Sequence, residues 1–407
     1  APERKFDISA VTASNALPGG QLVYNSRTNQ GGALNDPTAI LYARTGDLDA
    51  SGKLKAGVPI EPLVLRANAG DCIFIKLKNN LPATLPDLAG FNTLPMLVDN
   101  FNANQVLPSS QVGLHPQLVA YDVSGDDGAN VGFNPIQTVA PGGTVSYKWY
   151  AGDVKVNSDG TRVATPIEFG AINLMSSDPI KHSNKGAIGA LIIEPKGSTW
   201  VEDTTSRASA TVTKSDGTTF RDFVLLFQDD INLRFGDGTA VPNLAESEDS
   251  EDSGQKALNY RTEPLWKRMG FAPDTVLTIT RTFDFTNVLT NAQVGGDPVT
   301  PVFAAKKGTA VRFRVLQPGG HARNHVFQIH GHVWEEEPYI NGSTQIGSNP
   351  LSEWKGAQMG HGPTNHFDVV PKHGAGGNFG IAGDYLYRDQ ASFQFDGGLW
   401  GILRVTP

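Results

Sequence analysis

Short apolar runs recur along the chain, each closed by Gly, Pro, Asn or Asp: residues 63–67, 72–77, 145–150, 190–194, 223–227, 276–280, 311–316, 367–370 and 401–405. Their Val, Ile, Leu and Phe content and their shortness predict strands of a sandwich. Helical spacing is scarce, and its best example is 263–269. Two stretches then repeat in the same order. Residues 65–77 resemble 303–315, with Ala67 matching Ala305 and Gly70 matching Gly308, and Gly186-Ala-Ile-Gly189 resembles Gly398-Leu-Trp-Gly401. A turn glycine feeding a strand and a Gly-x-x-Gly before a last strand are features of a repeated unit. The pattern predicts an all-β chain of two β-sandwich domains, 1–205 and 206–407.

Composition narrows the classes of function. The chain has 407 residues with Gly 45, Pro 26 and 18% charged residues, which favours turns and short strands over long surface helices. A formal charge of -8 with no basic block leaves nothing to neutralise a phosphate backbone, so nucleic acid is not expected as a partner. No apolar run reaches the ~18–20 residues of a membrane-spanning helix. The acidic run 246–252 predicts a solvated strap within about 229–273, with oxygen donors but no calcium spacing. The single cysteine, Cys72, excludes an intrachain disulfide, a Cys-rich zinc site and an iron–sulfur cluster, and is expected to be a buried small hydrophobe. The chain begins at Ala1, which fits removal of a secretory leader as well as a trimmed start. A secreted, periplasmic or cell-surface location is the expectation.

Candidate chemistry concentrates in histidine. Six of nine histidines lie between His321 and His366, the densest run being 324–332. On a strand, Gln328, His330 and His332 share one face and His325 the other. Such a row is either a metal site or a polar face satisfied by backbone and water. His361 and His366 bracket a Gly-Pro turn, while His182 and His373 have no partner by spacing and are expected to be exposed or singly bonded. Asp122 to Asp127 and Asp229-Asp230 place carboxylates at loop ends, and Asn341-Gly-Ser343 fits an N-glycosylation acceptor. No zinc-protease, phosphate-loop or nucleophile-elbow motif is present, so a hydrolase has no motif behind it.

The run 324–332 resembles the histidine-rich strand of multicopper oxidases, the laccase-like family. Gly113-Leu-His-Pro-Gln117 resembles that family's first His-x-His, residues 167–174 stand where its second would be, and 383–399 has the frame of its terminal His-Cys-His motif. The resemblance implies two cupredoxin-like Greek-key sandwiches, a blue copper bound by two histidines and a thiolate, and a copper cluster fed through the flanking histidines.

The copper positions depart from that pattern. Arg388, Asp389 and Gln390 replace His-Cys-His, Gln394 replaces the following histidine, Gln117 and Gln328 replace two others, and Ile172 and Leu174 occupy the second His-x-His. His115, His325 and His330 remain, and Leu399 holds the axial position. A blue copper centre requires a thiolate, arginine offers no lone pair, and glutamine is a poor copper ligand. The expectation is therefore a family-like exported protein with degenerate copper sites, acting as a non-catalytic binding or structural component with a protein partner or as a homo-oligomer. The alternative is a copper-dependent oxidoreductase with one copper on His115, His330 and His332 at the domain interface. The motif frame also predicts that Asp389 and His325 meet inside the second domain beside Gln394, and that Arg388 turns toward the first domain and Gln117.

Overall fold

The computed structural model describes residues 1–87, 107–231, 233–242, 255–273, 285–291, 294–320, 324–390 and 395–407. Four sheets stack in layers. The first runs Ile40–Arg44, Glu3–Thr12, Cys72–Asn79, Thr144–Tyr150, and the second Leu63–Asn68, Ile188–Glu194, Gly170–Ser176, Leu114–Pro116. The third runs Thr199–Asp203, Ser206–Thr213, Thr219–Asp229, Val311–Leu316, His366–Val369, with Lys256–Leu258 paired to the end of its long strand. The fourth runs Val302–Lys306, Trp400–Thr406, Gly383–Asp389, His325–Ile329, Ala357–His361. The all-β, two-sandwich architecture is thus present. The expected run 276–280 lies outside the described residues.

Side-chain alternation explains the layering. Cys72–Asn79 in the outermost sheet alternates strictly, with Ile73, Ile75 and Leu77 inward and Lys76 and Lys78 in solvent. Leu63–Asn68, Ile188–Glu194 and Val311–Leu316 are buried at every position, as strands covered on both faces must be. Their two faces serve different cores. Leu65, Ile172, Leu191 and Ile193 join Ile73 and Trp149 in the first sandwich, while Phe223, Phe227, Phe313, Phe327 and Tyr387 fill the second. Val64, Ala190, Ile192, Val224 and Leu226 form a third core between the sandwiches.

The internal repeat extends to pairing. Leu63–Asn68 runs parallel to Ile188–Glu194, and Val302–Lys306 runs parallel to Trp400–Thr406. The following strands, Cys72–Asn79 and Val311–Leu316, run parallel to Glu3–Thr12 and Thr219–Asp229, an early strand of their own half in each case. Both Gly-x-x-Gly motifs turn into the last strand at a glycine of positive φ, +103° at Gly186 and +112° at Gly398, which an L side chain resists. Their second glycines lie against the neighbouring strand: a Cβ would stand 2.9 Å from the Leu63 carbonyl oxygen at Gly189 and 2.7 Å from that of Pro301 at Gly401.

Within the expected strap the turn 236–239 is exposed, but the described residues flanking the acidic run are mostly buried. Ala257, Leu258, Tyr260, Leu265 and Trp266 are buried, and the short helix Leu265–Met269 ends on Gly270 in the left-handed region. Apolar residues on either side of the acidic run dominate the packing, and 246–252 itself lies outside the described residues. Cys72 is half-buried at the start of an outer strand rather than interior. No described helix is long and apolar enough to cross a membrane.

Candidate functional site

The long strand Thr219–Asp229 sends Phe223, Leu225 and Phe227 into the second sandwich, and the same period of two brings Asp229 to that face. Opposite it, His325–Ile329 turns His325, Phe327 and Ile329 inward. The adjacent strand does the same with Tyr387 and Asp389. The result is a clamp across the sandwich. Nδ1 of His325 donates to Asp389 in a short hydrogen bond within its own sheet, and Nε2 donates to Asp229 Oδ2 on the facing sheet at 2.9 Å. The second oxygen of Asp389 accepts the Val326 N–H at 3.0 Å, beside an irregularity in pairing between His325 and Val326. Gln317 Nε2 adds a bond to Asp229 Oδ2 at 2.8 Å.

The electrostatics fix the imidazole as a cation. Burial opposes the charged ring, but Asp229 and then Asp389 outweigh it and raise the pKa to about 9. Stacked 5.1 Å away is the ring of His361, buried at 3% exposure against Phe227 and Phe367. Neither His361 nitrogen has a hydrogen-bond partner among the described residues. Burial and the neighbouring His325 cation push its pKa down to about 3, so His361 is neutral. The sequence reading placed His325 and Asp389 together but missed Asp229 and His361. The alternation of Phe223, Leu225 and Phe227 is the signal that locates Asp229. His361 joins through its pairing with His325 across the strands, which a single sequence does not display.

The other singled-out positions are distributed differently. Gln328, His330 and Arg388 lie on the face of the fourth sheet turned away from its core, whereas His115 and Gln117 belong to the second sheet, two layers away within the chain. Arg388 therefore does not turn to the first sandwich. Its Nε bonds Gln390 Oε1 at 3.2 Å and its guanidinium covers Phe395 at 4.7 Å, while Gln117 bonds the Thr364 carbonyl and Asn173, both at about 2.9 Å. Ile172 and Leu174 point into the first core, and Asn173 between them faces the second sandwich. Leu399 is fully buried in the second core, and Gln394 lies outside the described residues.

His115, His330 and His332 do not converge. The strand ends at Ile329 and Gly331 turns with φ +67°, so the alternation stops and His332 folds inward. Its Nδ1 donates to the His330 carbonyl at 2.9 Å and its Nε2 accepts the Gly376 N–H at 3.2 Å, leaving no free lone pair. His330 stays at the rim of a cleft of about 690 Å³ beside Phe379 and Ile381. His115 Nδ1 meets the carbonyl and carboxylate of Asp127 at 2.9 and 3.0 Å. No group of three or more His, Cys, Asp or Glu side chains able to hold a metal occurs among the described residues. His182, expected to be exposed or singly bonded, is instead fully buried and bonded at both nitrogens, to Ser176 Oγ and the Ser109 carbonyl, each at 2.6 Å.

A second charged cluster joins the sandwiches. Arg66 bonds Glu194 at 2.8 Å and also Asp222, while Arg314 bonds Asp222 at 2.6 Å, Asp368 at 2.7 Å and Glu194 at 2.9 Å. The three carboxylates and both arginines have fully buried side chains, and the Tyr339 hydroxyl donates to Asp368 at 2.9 Å. Burial, then the neighbouring Asp222, raise the Glu194 pKa to about 7 against the pull of Arg314 and Arg66.

No family model matches the chain, and no curated protein matches its sequence. Among solved structures it is similar to a multicopper oxidase at 15% identity, covering 99% of this chain and 89% of that one with a TM-score of 0.49. It is also similar to a copper nitrite reductase from Nitrosomonas europaea at 14% identity (99% and 94%, TM-score 0.49) and to a blue copper oxidase from the same organism at 13% (99% and 86%, TM-score 0.49).

Proposed function

We propose that this chain is a multicopper-oxidase-like protein whose copper positions have been given over to protein chemistry, and that it serves as an exported, non-catalytic binding or structural component. The supporting observation is the double commitment of His325. In the proposed frame this imidazole would be a copper ligand, yet both of its nitrogens donate to carboxylates and neither presents a lone pair. Asp389 stands where the frame requires a thiolate, and Cys72 belongs to an outer strand of the other sandwich. A blue copper centre does not fit this donor set.

The cluster positions fit copper no better. Arg388 is a permanent cation beside His330, and burial followed by that cation lowers the His330 pKa. The alternative of one copper on His115, His330 and His332 requires displacing the Gly376 N–H from Nε2 of the buried His332 and bringing together residues of separate layers. Copper loading of the purified protein, followed by removal of loose metal and measurement of bound copper and phenol oxidation, tests the proposal. It expects no tightly held copper and no oxidation, and a stoichiometric, oxidising copper defeats it.

A further inference from the structure

A groove of about 710 Å³ runs along the second sandwich between the 213–219 turn and the small Trp334–Glu335/Trp354–Lys355 sheet, bordered by Trp354, Lys372, Thr219 and Lys214. It adjoins a cleft of about 650 Å³ at the boundary of the two sandwiches that shares Lys214 and adds Lys196. We infer that this continuous groove binds an acidic oligosaccharide, one whose sugar rings carry carboxylates.

The argument rests on which groups in the walls are already engaged. Asp216 is taken up by its own turn, accepting from the Thr218 N–H at 2.9 Å and from its hydroxyl at 2.6 Å. Glu335 holds the opposite wall by accepting from Ser348 Oγ at 3.0 Å and from the Asn349 N–H at 2.5 Å. Glu168 pairs with Arg312. These bonds fix how the acids are oriented in the walls, and Arg312 offsets the charge of Glu168. Lys196, Lys214 and Lys372 make no ion pair with a described residue. The lining carries four cations, Lys196, Lys214, Lys372 and Arg312, against three carboxylates, Glu168, Asp216 and Glu335, and this net positive groove in a chain of formal charge -8 favours an anionic ligand.

Trp354 supplies the other half of the recognition. It is 51% exposed on the groove wall, and the Lys372 ammonium stands 4.4 Å from its ring centroid. The exposed part of the indole offers a flat apolar surface with an ammonium beside it. The apolar face of a pyranose ring stacks on such a surface, and a carboxylate at the ring edge then falls to Lys372. A flat apolar face with anionic edges, repeated along a groove, is the chemistry of a uronate chain.

This inference deepens the binding role proposed above, and the two fail separately: copper content decides that reading, sugar binding this one. An α-1,4-linked galacturonate tetramer is titrated into the full chain, following tryptophan fluorescence and heat. Saturable binding is expected, weaker by at least about tenfold for the fully methyl-esterified tetramer and weakening with salt. Trp354→Ala and, independently, Lys372→Glu should each lower affinity at least about tenfold with unchanged thermal midpoint. No binding, equal binding of the ester, affinity unmoved by both variants, or tighter binding of poly-glutamate, which marks an acidic-peptide site, each overturns the inference.

Discussion

Asp389 accepts the Nδ1–H of His325 in the interior of the second sandwich, and the same imidazole donates its Nε2–H to Asp229 on the facing sheet. One ring therefore ties two sheets together through two carboxylates. Removing Asp389 leaves the buried Nδ1–H of the His325 cation and the Val326 N–H without their acceptor. Asp389→Ala is expected to destabilise the fold by about 3–5 kcal/mol. Urea unfolding followed by near-ultraviolet dichroism gives the value, and a change below 1 kcal/mol, within the ordinary spread for surface sites, argues that the clamp carries little.

The same clamp sets an alkaline limit. The folded His325 pKa lies near 9, above its ordinary value of 6.5, so its stabilisation is complete below 6.5 and is lost as pH rises through 9. A shift of that size corresponds to on the order of 3 kcal/mol. Thermal midpoints measured from pH 6.5 to 9.5 should fall, and His325→Gln should be less stable at neutral pH with a flatter alkaline limb. An unchanged limb in that variant contradicts the assignment.

His361 governs an acid limb of opposite sign. Its folded pKa is pushed down to about 3 by burial and by the His325 cation, so stability present above 6.5 is lost as pH falls toward 3. Because neither ring nitrogen is hydrogen-bonded to a described residue, His361→Phe forfeits no such bond. That variant should be at least as stable as the parent at pH 7 and lose less stability on acidification, which pH-dependent unfolding reads directly.

At the sandwich boundary, Arg314 holds Asp222, Asp368 and Glu194 together. Arg314→Met is expected to cost about 3–5 kcal/mol, since three buried carboxylates lose their shared cation. Proteolysis at low denaturant is expected to release one sandwich before the other in this variant and to cleave the parent without such an intermediate, and identical digestion of the two contradicts the coupling.

These residues also show where the sequence is transparent and where it is not. The strands around Ile73, Ile192 and Phe313 announce themselves by composition, and the repeated Gly186 and Gly398 motifs carry the duplication because only glycine suits those turns. Arg66 and Arg314 sit inside equally apolar strands, and nothing local says that they face each other across a buried layer. Sheet stacking decides that. Motif order places Asp389 beside His325, but the extrapolation of strand alternation through His332 fails because one positive-φ glycine ends the strand. His115 and His330 fail to meet for a different reason: they occupy faces on separate layers, which motif order does not encode.

Copper titration of the purified full chain, read by visible absorption and by metal content after gel filtration, tests the central claim most directly. The clamp on His325 predicts no intense thiolate-to-copper band and no copper retained in proportion to protein. A blue protein retaining one copper per chain, with the band lost in His325→Gln, would contradict it.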